Sequence, residues 1–220
     1  MKFDFATSGG VFVEAIGTTL YIVAVAMGIG GIVGLLLGIT LFITRPGGLH
    51  PNKVLSTILN LVINFFRPIP FIIFIAAMGP VTLAVVGTSI GTNAFLFPAA
   101  LMVSFASSRL VEQALVGLDP GVVEAARAMG ASTWTIIRTV VIPEALAPLI
   151  LAYTFLFVAV MDMSALAGIV AGGGLGAFAL SYGYQRFDWA ITWITVAVIV
   201  VMVQAAQFLG NRLAARALHR

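Results

Sequence analysis

Charged and turn-forming residues gather between Asp119 and Pro143, inside a chain that is otherwise apolar. This island comprises Asp119-Pro120, Glu124-Ala125-Ala126-Arg127-Ala128-Met129-Gly130 and Val140-Val141-Ile142-Pro143. A segment facing lipid would not carry Asp119, Glu124, Arg127 and Arg138, and a free loop would not carry two well-formed helix starts. Asp119 can cap the backbone N–H groups of the next turn, and Pro120 suits the first helical position. Gly130 fits the left-handed residue that closes a helix ending near Met129. Ser132 can cap a second helix, which Pro143 is expected to stop. On that second helix the spacing places Trp134, Ile137 and Val141 on one face, expected to lie on neighbouring helices. Glu124 and Arg127, one turn apart, are left for solvent or for a partner. The chemistry on offer is contact with a soluble partner, with an ordinary connecting loop as the alternative.

Other residues with chemical potential point away from catalysis. No nucleophile–base arrangement stands out, so a membrane enzyme is a poor reading. His50 and His219 have no metal-ligand partner at useful spacing, and the absence of cysteine excludes disulfides and thiolate metal sites. No cofactor is expected. The run Gly172-Gly173-Gly174-Leu175-Gly176 follows no strand, and no Gly-Lys pair occurs anywhere, so the chain lacks a phosphate-cradling loop. Two ionisable residues lie within apolar runs. Arg67 precedes Pro68-Ile69-Pro70, where two missing N–H donors should kink or break a span. The guanidinium either serves freed carbonyls or faces a watery cavity. Asp162 sits between Met161 and Met163, and is either a functional carboxylate or a buried acceptor for Ser164 or a neighbouring helix.

The elements that must position these residues are membrane spans. The chain has 220 residues, 61% apolar and only 9% charged, against about 25% charged in soluble domains. No charged residue occurs from Ile16 to Thr44 or from Pro68 to Ser108, and about 20 apolar residues suffice to cross the hydrocarbon. The expected fold is all-α, a single polytopic domain over residues 1–220. About five transmembrane helices are expected, near 13–43, 54–78, 90–117, 145–170 and 189–211. The first apolar run is too long for a signal-peptide core, so the N-terminus is expected to be retained. Five spans put the termini on opposite sides. With the C-terminus cytoplasmic, eight basic residues lie inside (Arg45, Lys53, Arg109, Arg127, Arg138, Arg212, Arg216 and Arg220) against two outside, Lys2 and Arg186. The positive-inside rule then puts the N-terminus outside and the island in the cytoplasm. The net charge of +3 is explained by membrane topology rather than by nucleic acid. Gly30, Gly34 and Gly38 recur at intervals of four, which lets helix backbones approach closely, within the chain or between two copies. Tyr182, Tyr184, Phe187 and Trp189 fit an outer interfacial belt. No internal repeat of the kind found in secondary transporters is visible.

Glu124-Ala125-Ala126, then Gly130, then after nine residues Val140-Val141-Ile142-Pro143, resembles the EAA motif of ABC-importer permeases, the binding-protein-dependent inner-membrane components. Asn64-Phe65-Phe66-Arg67-Pro68-Ile69-Pro70-Phe71, Gly87-Thr88-Ser89-Ile90-Gly91, Arg109-Leu110-Val111-Glu112, Ala128-Met129-Gly130-Ala131, the glycine run and Tyr182-Gly183-Tyr184 are similar to the methionine-importer branch of that family. The resemblance covers nearly the whole chain. It implies a type I importer permease in the bacterial inner membrane, multi-pass and non-catalytic, bathed in lipid. It implies a homodimer, two ABC ATPase subunits that hydrolyse ATP, and an extracytoplasmic binding protein or lipoprotein that delivers methionine or another small solute, such as an osmoprotectant. Residues 118–143 would be the coupling loop, with Glu124, Ala125, Ala126, Arg127, Gly130 and Pro143 meeting the ATPase. From their own chemistry rather than from the resemblance, Arg67, Asp162, Met163 and Leu166 are candidates for the translocation pathway or its gate, with Asp162 able to meet a substrate amine. The glycine run would turn over the pathway and contact the binding protein. A stand-alone secondary transporter is the less favoured alternative.

Overall fold

The structure, a computed structural model, describes residues 5–218. Lys2, His219 and Arg220 lie outside the described residues. Helix α1 spans Phe5–Thr44. Its 40 residues extend roughly 60 Å, about twice the hydrocarbon thickness. A turn at residues 45–50 leads to α2 (Lys53–Phe66), capped by Asn52, whose Oδ1 accepts the Leu55 N–H at 3.0 Å. After a break at residues 67–70 come α3 (Phe71–Ala77), α4 (Gly79–Val86) and the long helix α5 (Thr92–Val116). The island holds α6 (Pro120–Ala128), α7 (Thr133–Ile136), a π-helical stretch (Ile137–Val141) and α8 (Ile142–Glu144). Then follow α9 (Leu146–Ala165), continued as 3-10 helix to Val170, then α10 (Gly174–Phe178) and α11 (Trp189–Leu218).

Among the described residues four helical stretches are long and apolar enough to cross a membrane, and α2 with α3, bent by 103°, makes a fifth where the pair counts as one broken span. The expected span at 54–78 is therefore two helices. The bend has its cause in Pro68 and Pro70, which cannot donate, so the Pro70 carbonyl instead accepts the Ile73 and Phe74 N–H groups to start α3. Packing fixes the corner: Phe66 stacks on Phe105 of α5 at 5.1 Å, and Phe71 meets Phe95 edge-on at 5.5 Å.

Gly30, Gly34 and Gly38 of α1 are spent inside the chain. A Cβ on Gly30 would lie 2.6 Å from the Ala100 carbonyl oxygen, and one on Gly38 would lie 2.6 Å from the Val111 Cβ. At Gly34 it would strike the Ser107 hydroxyl. α1 and α5 thus cross with backbones almost touching, as small residues permit in lipid. The Tyr153 hydroxyl of α9 donates to the Gly31 carbonyl at 2.6 Å and pins a third helix to the same stripe.

Three apolar clusters follow α1 from end to end. Ala15 packs with Leu175, Phe178 and Ile191 at the glycine-turn end. Ile22, Val23 and Ala26 pack with Ile75, Phe95, Val103, Leu156 and Val160 at mid-height. Phe42 packs with Val111, Leu115, Ala126, Ile136, Val141 and Leu149 at the island end. The island and the turn at Gly172-Gly173-Gly174 therefore lie at opposite ends of the bundle.

Candidate functional site

Each cap of the island forms as its residue types require. Asp119 Oδ1 accepts the Gly121 N–H at 2.9 Å and opens α6. Gly130, at φ +77°, closes it. The Gly130 N–H donates to the Arg127 carbonyl at 2.9 Å and the Ala131 N–H to the Ala126 carbonyl at 3.2 Å, the paired bonds of a Schellman ending. Ser132 Oγ then accepts the Thr135 N–H at 3.2 Å and starts α7. α6 presents its two sides differently. Ala126 is buried in the island-end cluster, whereas Glu124, Ala125, Ala128 and Met129 are exposed, Met129 at 81%.

Arg127 does not stay free. Its Nη2 donates to the Gly48 carbonyl at 2.8 Å, and Thr133 Oγ1 lies 2.7 Å from His50 Nε2. The turn after α1 is thus the seat of the island, and Arg127 is one of its anchors. Between them lies a cavity of about 90 Å³, lined by Arg45, Glu124 and Arg127 among others. Glu124 therefore shares a cleft with two guanidinium groups. Arg45 leans on the Phe42 ring, 4.9 Å from its centroid.

Two expectations for the second island helix are corrected. Trp134 does not share the packed face: it is 69% exposed, while Ile136, Ile137 and Val141 are buried. Pro143 does not stop the helix. The backbone widens into π geometry over Ile137–Val141, with the Ile142 N–H donating to the Ile137 carbonyl, and Pro143 then sits in the first turn of α8, where no N–H is needed. Helical backbone runs almost unbroken from Thr133 into α9.

The side chains of the two ionisable residues within apolar runs make no hydrogen bond or ion pair among the described residues. Asp162 is exposed on α9, and Ser164 Oγ donates to the Met161 carbonyl at 2.7 Å rather than to Asp162. The buried-acceptor reading of Asp162 therefore fails. Arg67 is exposed too, and its side chain makes no hydrogen bond among the described residues, so it does not serve carbonyls freed by the prolines. Met163 is half-buried against the mid-height core, and Leu166 opens the 3-10 stretch. No group of three or more potential metal ligands occurs among the described residues.

A further polar cluster joins residues that the sequence shows only as separate segments. Arg109 of α5 pairs with Glu112 at 2.6 Å and donates to Asn60 Oδ1 at 2.7 Å and Asn64 Oδ1 at 2.9 Å of α2. The two charged side chains are 12% and 18% exposed. The signal available was two amides at i, i+4 on an apolar helix, which need a partner in lipid. At the other end the glycine turn is stitched inward. The Thr92 hydroxyl donates to the Gly172 carbonyl at 2.9 Å, and the Leu175 N–H donates to Thr19 Oγ1 at 2.8 Å. Tyr184, Phe187 and Trp189 form an exposed aromatic group beside it.

This architecture has known counterparts. Residues 30–218 match the family model described as binding-protein-dependent transport system inner membrane component. A probable D-methionine transport system permease protein of Vibrio cholerae is 40% identical over 216 residues, 98% of this chain and 96% of that protein. A methionine import system permease protein of Bacillus subtilis is 40% identical over 173 residues, 78% of this chain and 77% of its own length. Among solved structures, a chain from inward-facing conformations of the MetNI methionine ABC transporter superposes with a TM-score of 0.92 at 35% identity, covering 96% of this chain and 98% of that one. With helices, island and glycine turn matched over this length, the chain belongs to the family of binding-protein-dependent transport system inner membrane components.

Proposed function

We propose that this chain is the permease subunit of an ATP-driven methionine importer, and that residues 118–143 couple it to an ATPase. The observation that carries the coupling role is the island itself. It is a capped helix anchored on one side through Ala126 and Arg127, with an outer side of Glu124, Ala125, Ala128 and Met129 left open. A surface held so firmly from behind transmits displacement rather than absorbing it. The continuous helical path from α7 through Pro143 into α9 leads from that surface to Asp162, Met163 and Leu166. Movement of α6 by a partner would thus reach the pathway candidates through one rigid element.

Two permease copies, two ATPase subunits and an extracytoplasmic binding protein complete the machine in this reading. Methionine is the cargo because relatives at 40% identity are named for it. Glu124, Ala125 and Gly130 meet the ATPase, and Arg67 and Asp162 face the pathway. The test is ATP-dependent uptake of labelled L- and D-methionine by proteoliposomes holding the permease, its ATPase and its binding protein. Absence of ATPase co-purification would refute the coupling role, and uptake of other solutes alone would refute the cargo. The N-terminus lies outside and the C-terminus in the cytoplasm. Cysteines placed at Thr7 and Ala217 should accordingly label from opposite faces, and labelling from one face would refute the topology.

A further inference from the structure

Helix α11 is the least enclosed span, with only 11% of its apolar window buried. One outward stripe runs along it at intervals of three and four through Trp193, Ala197, Val200, Gln204, Gln207 and Asn211, all exposed except the half-buried Gln207. The stripe is apolar in its first half and carries amides in its second. No side-chain hydrogen bond reaches any of the three amides among the described residues. Primary amides facing hydrocarbon without partners are strongly disfavoured. They border a groove of about 430 Å³ whose opposite wall is Leu151, Thr154 and Phe155 of α9, a volume within the roughly 300–1,000 Å³ typical of small-molecule sites. Gly210 sets the depth of the groove, because it is buried where a Cβ would strike the Thr154 hydroxyl. The groove lies toward the island end, since Leu146, the first residue of α9, lines a neighbouring cleft with Arg216 and Ala217. On α9, Leu151, Phe155, Val158 and Asp162 recur at four, three and four, so the face that walls the groove continues up to the unpartnered carboxylate.

We propose that Gln204, Gln207 and Asn211 line a hydrated lane that carries the zwitterionic amino-acid substrate from the level of Asp162 toward the island end of the permease. This rests on the importer reading above. Amides suit the task because each offers a donor and an acceptor without net charge. The helical rise spaces the three by about 4.5 and 6 Å, so an ammonium and a carboxylate can each find an amide while water fills the remainder. No ion pair has to be broken for the substrate to leave, and weak serial contacts favour passage over retention. Leu151, Phe155 and Phe208 give the substrate side chain an apolar wall.

The chain has no cysteine, so single cysteines report without background. Gln204→Cys, Gln207→Cys and Asn211→Cys are placed in the assembled importer in membrane vesicles, with Ala205→Cys and Leu209→Cys, which line neither the groove nor its neighbouring cleft, as controls. A thiol ionises only where water reaches it. The three lane positions should therefore react with a water-soluble methanethiosulfonate on the order of tenfold or more faster than the controls, and the modification should slow L-methionine uptake. Reaction at the control rate, or fast reaction that leaves uptake unchanged, overturns the lane. Gln207→Leu is the second variant: several-fold slower uptake at parental ATPase activity supports the lane, and parental uptake overturns it. If the parent importer takes up no methionine, the cargo assignment fails while the labelling pattern still decides whether the groove is wet.

Discussion

Gly130 separates two roles that the island could play, and a three-member series at this position tells them apart. The residue sits at φ +77° and ends α6, and an added Cβ there would find no atom of this chain within 4 Å. The internal effect of a side chain is therefore backbone strain alone, about 1–2 kcal/mol for an ordinary residue, and less for Asp or Asn, which tolerate the left-handed region. That shifts the equilibrium between closed and frayed island by roughly 5- to 30-fold at most, and cannot unfold a bundle held by three apolar clusters. Strain ranks Gly130→Ala as the worst substitution. Intrusion into a partner surface that closes over the turn ranks Gly130→Asp as the worst, because it adds bulk and a charge that must be desolvated. We expect the second order. Gly130→Asp should insert and dimerise normally, lose most ATPase co-purification and abolish methionine uptake, while Gly130→Ala loses only part of each. Glu124→Lys should act in the same direction more weakly, since it puts a like charge in the cleft of Arg45 and Arg127, an effect of about 0–1 kcal/mol at an exposed site. The measurement is ATPase recovery and uptake rate at equal permease abundance. Parental values for Gly130→Asp would refute coupling through this turn, and a series in which Ala is worse than Asp would reduce Gly130 to a folding device.

Three further outcomes are expected. Gly34→Ala should lower the thermal stability of the detergent-purified permease by about 1–3 kcal/mol or prevent its assembly, because the methyl meets the backbone of α5; Gly28→Ala, with open space around it, should be neutral or slightly stabilising, and equal effects would refute the close crossing. Arg109→Leu leaves Glu112 poorly compensated and should cost about 3–5 kcal/mol, part of which Arg109→Leu with Glu112→Leu recovers; additive losses would show that the pair acts separately. Asp162→Asn breaks no hydrogen bond or ion pair among the described residues, so melting should shift by less than about 0.5 kcal/mol while uptake at limiting methionine slows; unchanged uptake would remove the carboxylate from the pathway.

Local signals were legible because each is complete within a few residues. Asp119, Gly130 and Ser132 formed the expected caps, and the Pro68–Pro70 pair broke the second span, since a missing N–H or a positive φ depends on no distant neighbour. The misread features depend on what lies across the bundle. Trp134 was grouped with Ile137 by helical spacing, but the face that packs is set by α1 and α5, and it chose Ile136. Pro143 looked like a stop because an α-helix cannot keep its bonding there; the chain instead changed pitch one turn earlier, which keeps the buried Val141 and Ala145 in one core. The glycine stripe left open whether it served one chain or two, and only the close approach of α5 at Ala100, Ser107 and Val111 decides that. Arg109 is the instructive case. It entered the topology as a free cytoplasmic charge, yet it is held by Asn60 and Asn64, residues 49 and 45 positions away, and is nearly enclosed. A charge with such partners can lie within a span and says little about sidedness. Removing it from the count leaves seven basic residues against two, of which Lys2 and Arg220 fall outside the described residues. Setting those two aside as well leaves six against one, so the proposed orientation does not hang on the residue whose role was misread.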